Sequence, residues 1–180
     1  MTTQTLTRTG LDQLIATVRA AFDPAMEPAA AASAVAASLR ADLPATDLLT
    51  SRERAGEPAA AFRILLHAEP AFSIQAVVWR PGQASSIHDH RAWCVLGVLQ
   101  GAEEETRYRD HGDHLTVVGH ATNPTGAVHG FAPPGDIHKV VNTGAATTIT
   151  LHVYGADLGD GSSSVLRTYT APVLDNRAGA

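Results

Sequence analysis

The chain has 180 residues, 44% of them apolar, which is the length of a single domain with mass for one real core. A formal net charge of −5 without any basic cluster argues against a nucleic-acid or anionic-membrane binder. One cysteine in the whole sequence excludes an intramolecular disulfide and a CxxC-type structural zinc cluster, and it fits a reducing cytoplasm. The opening MTTQTLTRTG lacks the apolar run of a secretory signal, and the apolar stretch from Ala29 to Leu39 is too short to span a bilayer. A cytoplasmic location is therefore expected, with no membrane association and no obligate protein partner.

In chain order, residues 1–57 read as helical. Leu11, Leu14, Ile15, Val18 and Phe22 recur at the spacing of one amphipathic face. Pro28 suits the first turn of a second helix and Pro44 ends it, while the charged stretch Leu48–Glu57 leads into a different texture. Residues 58–172 carry short β-like runs at Phe72–Trp79, Cys94–Leu99, Leu115–Val118, His138–Val141, Thr147–Tyr154 and Val165–Thr170. Pro81-Gly82, Asp110–Asp113, Asn123-Pro124 and Asn142–Gly144 punctuate them. Many short strands with Gly/Pro turns indicate a mainly β sandwich or barrel, with the helices packed on its outside. Residues 173–180 read as a tail.

Two segments carry chemistry. His88 and His90 are i and i+2, so on a strand both side chains leave one face and Asp89 leaves the other. A third histidine, His138, follows the turn Pro133-Pro134-Gly135-Asp136. Three imidazoles converging from two strands make a mononuclear metal site. Zinc, nickel, manganese and iron all remain compatible with that geometry. Further on, Thr148–Tyr154 alternates strictly, with Ile149, Leu151 and Val153 on one face and Thr150, His152 and Tyr154 on the other. Such a polar face lines either solvent or a cavity. In a cavity, Thr150 can orient His152 and His152 the Tyr154 hydroxyl. The acidic run Glu103-Glu104-Glu105 reads as a solvated hairpin edge.

The spacing G-x5-H-x-H-x3-C-x6-G from Gly82, followed by P-x-G-x2-H-x3-N from Pro133, resembles the two motifs of the cupin superfamily. Cys94 stands where that pattern has glutamate. The resemblance implies a cupin barrel, a double-stranded β-helix of jelly-roll type. The pieces SSIHDH at Ser85–His90, the run from Cys94 to Gly101, GDIH at Gly135–His138 and T-x-H-x-Y at Thr150–Tyr154 resemble the thiol dioxygenases of that superfamily, the cysteine dioxygenase family.

What the resemblance implies is specific. His88, His90 and His138 would bind Fe(2+). Tyr154 would hydrogen-bond near the oxygen, with His152 and Thr150 behind it; the family usually has serine at the Thr150 position. Cys94 falls where mammalian members crosslink a cysteine to this tyrosine. Arg63 aligns with the residue that holds the substrate carboxylate in the cysteine-using branch, and a guanidinium can pair bidentately with that group. Arg167 is the rival clamp, in the manner of 3-mercaptopropionate enzymes, and Ser85 would help to shape the pocket. The expected activity is oxidation of a small carboxylate-bearing thiol, cysteine foremost, by O2 to the sulfinic acid. The alternatives are 3-mercaptopropionate dioxygenase, another cupin reaction, or a non-catalytic metal or small-molecule binder.

Overall fold

A computed structural model describes residues 7–174. The first six residues, part of the segment on which the leader expectation rests, and residues 175–180 of the tail lie outside them. Helices α1 (Leu11–Ala21) and α2 (Pro28–Ala41) open the fold, with Pro28 in the first turn of α2 as its fixed φ favours. A short helix α3 (Ser51–Arg54) starts with a reciprocal cap between Thr50 and Glu53.

Eleven strands follow among the described residues: β1 (Phe62–Glu69), β2 (Phe72–Trp79), β3 (Ile87–His90), β4 (Cys94–Gln100), β5 (Ala102–Asp110), β6 (Leu115–Pro124), β7 (Val128–Phe131), β8 (His138–Val141), β9 (Thr148–Tyr154), β10 (Val165–Tyr169) and β11 (Val173–Leu174). They form two sheets, ordered β1-β2-β9-β4-β7 and β10-β3-β8-β5-β6-β11. The antiparallel pairing is nested: β5 with β6, β4 with β7, β3 with β8 and β2 with β9. Successive strands pass between the sheets as the nest unwinds. That is the double-stranded β-helix expected for a cupin barrel.

The core lies in an informative place. Leu14, Val18, Val35 and Leu39 of the helices pack in one cluster with Ile74, Ala76 and Val78 of β2 and with Ile149, Leu151 and Val153 of β9. The apolar face of the first sheet is thus its outer face, covered by helices. Its alternating partners (Gln75, Val77 and Trp79 on β2; Thr150, His152 and Tyr154 on β9) turn into the barrel. The helices thereby settle which way the alternating β9 faces. Contact between layers is close at β7. A side chain at Gly130 would bring its Cβ 2.6 Å from the Ala32 carbonyl oxygen of α2.

Candidate metal centre

β3 presents His88 and His90 inward, and β8 begins with His138 directly opposite His88 in the ladder. Ring centroids lie 4.7 Å (His88–His138), 4.8 Å (His88–His90) and 5.2 Å (His90–His138) apart. One ligand nitrogen from each lies within 4.8 Å of the others, and all three residues are buried.

The second ring nitrogens decide the chemistry. His88 Nδ1 donates to the Ser86 carbonyl at 3.0 Å, His90 Nδ1 to Asp136 Oδ2 at 2.9 Å, and His138 Nδ1 to Glu105 Oε1 at 2.8 Å. Each acceptor is an oxygen without a proton to give, so each Nδ1 carries the hydrogen and each Nε2 keeps its lone pair. Burial, then the neighbouring His138, pushes His88 down to about 4, which keeps it neutral. Three free Nε2 lone pairs facing one point are what a transition-metal ion requires, and the donor set fits one. Two carboxylates beyond the imidazoles, those of Glu105 and Asp136, would offset the ion's charge.

Glu105 was expected in a solvated acidic run, and the structure corrects that reading. On β5, Glu103 and Glu105 share the inward face. Glu103 is 1% exposed and accepts from Asn123 Nδ2 at 3.1 Å; burial pushes it up to about 7. Only Glu104, bonded to the Thr122 hydroxyl, behaves as an edge residue. The period-2 alternation of strands was the available signal. Asp136 gave no comparable signal, because its bond to His90 crosses from the β7–β8 loop to another strand.

The histidines open on a cavity of about 500 Å³. Its far wall is the polar face of β9. Thr150 Oγ1 lies 2.9 Å from His152 Nε2, and His152 Nδ1 lies 3.2 Å from the Tyr154 hydroxyl. Burial first, then the proximity of His90, lowers His152 to about 3, so its ring is neutral. Burial pushes the Tyr154 phenol well above its ordinary value. Cys94 stands opposite Tyr154 in the β4–β9 ladder and is completely buried. Burial, then the carboxylates of Asp136 and Glu103, raises its thiol well above the usual range.

Of the two arginines, Arg63 lines the cavity from β1, and its guanidinium has no hydrogen-bonded partner among the described residues. Arg167 is not brought to the cavity. Strand alternation would have turned it the same way as the cavity-lining Val165, but a bulge between the two shifts the register. Arg167 therefore pairs with Asp89 on the outer face, where its backbone N–H and guanidinium both donate to that carboxylate, as does the Tyr169 hydroxyl. Ser85 reaches the cavity wall, but its hydroxyl donates to the Ser86 carbonyl and accepts from Val140 N, tying β8 in place.

In solved structures the chain is similar to a protein with a double-stranded β-helix domain from Klebsiella pneumoniae, at 18% identity over 61% of this chain and 90% of that one, with a TM-score of 0.48. It is also similar to a cupin superfamily protein from Desulfitobacterium hafniense, at 16% identity over 64% of this chain and 90% of the other, with a TM-score of 0.47. The family model described as cysteine dioxygenase type I matches residues 57–159, more than half of the chain and the segment holding all three histidines, Cys94 and the β9 relay. This chain belongs to the cysteine dioxygenase type I family.

Proposed function

We propose that this protein is an Fe(2+)-dependent dioxygenase that converts a small carboxylate-bearing thiol, cysteine foremost, to its sulfinic acid with O2. The observation that carries the reading is the joint placement of three Nε2 lone pairs, the Tyr154 hydroxyl and the unpaired Arg63 guanidinium around one cavity. In the balanced reaction, R–SH and O2 give R–SO2H. Two S–O bonds form as the O–O bond breaks, and sulfur loses the four electrons that dioxygen gains.

Bound iron supplies the redox chemistry and the affinity for thiolate sulfur and dioxygen. The chain supplies everything else. His88, His90 and His138 hold the ion while Glu105 and Asp136 fix their rings. Arg63 receives the carboxylate and sets the distance from it to the sulfur. Tyr154 donates a hydrogen bond to the oxygen being transferred, held in place by His152 and Thr150. Apolar cavity walls at Val77, Leu96 and Phe131 keep out bulk water.

One observation favours 3-mercaptopropionate as a second substrate. Among the described residues, the cavity lining has no carboxylate to pair with a substrate ammonium, so the amine of cysteine gains no ionic partner from the protein. The deciding experiment is oxygen uptake by anaerobically iron-loaded protein with cysteine, 3-mercaptopropionate and cysteamine, with sulfinate detected by mass. Coupled uptake with the two carboxylates and little with cysteamine is expected. No uptake with any thiol, despite bound iron, would overturn the proposal in favour of a different cupin reaction or a binding role.

A further inference from the structure

The β9 relay does not end at Thr150. Trp79, on the neighbouring strand β2, points its indole N–H at Thr150 Oγ1 at 3.0 Å, and the pair is buried. An indole nitrogen can only donate, so this contact has a fixed direction. We propose that Trp79 is a positioning residue that sets the hydrogen-bond polarity of the whole chain from Thr150 to Tyr154. This inference rests on the relay role given to those residues above.

The reasoning is an inventory of donors. Thr150 has one O–H and must place it on one of two acceptors, His152 Nε2 at 2.9 Å or the Val77 carbonyl at 3.4 Å. With the Trp79 N–H already on one lone pair, the oxygen needs no second donor, and the hydroxyl gives its hydrogen along the 2.9 Å path to His152 Nε2 in preference to the 3.4 Å path to the Val77 carbonyl. A neutral imidazole has one N–H and one lone pair. His152 therefore carries its hydrogen on Nδ1 and donates it to the Tyr154 oxygen at 3.2 Å. The Tyr154 O–H is then released from His152 and can donate on the cavity side, where Ser164 and Cys94 are its nearest protein partners.

Without the indole the oxygen of Thr150 needs another donor, and the chain reverses. His152 Nε2–H gives to Thr150, the Thr150 hydroxyl turns to the Val77 carbonyl, and Tyr154 spends its hydrogen on His152 Nδ1. A donor facing the cavity becomes an acceptor. The indole is part of the cavity wall, and it acts on the reaction through its N–H at three removes along the relay.

Nitrogen NMR of the full-length, zinc-loaded chain tests this without turnover. The protein has two tryptophans, Trp79 and Trp93, so Trp79→Phe assigns the indole resonance by deleting it. In the wild-type protein His152 is expected as the Nδ1–H tautomer, and in Trp79→Phe as Nε2–H. Thr150→Val should shift the Trp79 indole proton towards its free position, and Thr150→Ser should restore it. With iron and thiol, Trp79→Phe is expected to lower kcat roughly tenfold while KM changes less than twofold. Replacing Trp79 with benzothienylalanine, which keeps the shape and lacks the N–H, should give the same tautomer if Trp79→Phe folds poorly. An Nε2–H tautomer in the wild type, or an unchanged tautomer in both variants, overturns the inference. If the wild type makes no sulfinate yet the tautomer reverses as described, the polarity assignment stands and the thiol dioxygenase reading falls.

Discussion

Glu105 accepts the Nδ1 hydrogen of His138 at 2.8 Å, so a residue on β5 determines which nitrogen of a β8 histidine faces the cavity. Glu105→Ala leaves the imidazole in place but removes both its orientation and a nearby negative charge. Metal affinity is expected to fall about 10- to 100-fold, measured by competition with a chelating dye. Unchanged affinity would mean that ring packing against Phe131 alone orients His138.

Ligand and relay residues separate by metal content. His138→Ala should abolish iron retention. Tyr154→Phe should keep iron and slow turnover roughly 10- to 100-fold, the loss of a hydrogen bond to developing charge. Iron analysis beside steady-state rates reads both, and iron loss in Tyr154→Phe with retention in His138→Ala would sink the ligand assignment.

The two arginines should part company in the same assays. Arg63→Ala is expected to raise KM for carboxylate thiols by roughly 10- to 100-fold, because a charge-assisted pair is lost. Arg167→Ala should leave KM alone and lower the melting temperature by about 2–4 °C, since its partner is the outward Asp89. A KM effect at Arg167 would contradict the bulge that turns it away from the cavity.

Acid should weaken the metal-free protein in two overlapping windows. The unfolded chain takes up protons on histidine near pH 6.5, whereas His88 and His152 in the fold refuse them until about 4 and about 3. The unfolded state thus takes up two protons on these histidines against the one that Glu103, raised to about 7, takes up in the fold, so stability falls as pH drops from about 6 towards 3. Glu53, held at about 2 by its hydrogen bond to Arg8 against an ordinary 4.5, adds a second loss between those values. Denaturant midpoints across the range measure this. Glu53→Gln should remove the lower limb and His152→Gln should flatten the upper one. A midpoint constant from pH 6 to pH 3.5 would be incompatible with these histidines being buried and neutral.

Much of the site could be read from local spacing. His88 and His90, or Thr150, His152 and Tyr154, share a face because a strand alternates, and that needs no knowledge of the rest of the fold. What escaped the sequence depends on which strands become neighbours. Glu105 is next to His138 only because β5 pairs with β8, and Asp136 reaches His90 across a loop. Trp79 meets Thr150 through the pairing of β2 with β9. A single bulge turns Arg167 outward, since one extra residue reverses every side chain beyond it. The strands Ala102–Asp110 and Val128–Phe131 were also unmarked: the first is rich in charge, and the second is short and carries glycine.

The outward-facing apolar side of the first sheet gives this barrel a greasy outer face beneath the helices, beside a cavity of mixed polar and apolar lining within. Its two helices are therefore less an ornament than a skin. Stripped of residues before Thr50, the first sheet would bare that face to water, and copies of the barrel would seek one another through it. The strand β7 makes the dependence intimate, with Gly130 against α2 and Phe131 5.3 Å from the rings of both His90 and His138. One peptide unit separates the helical skin from the candidate metal centre, so whatever loosens the first is felt at the second.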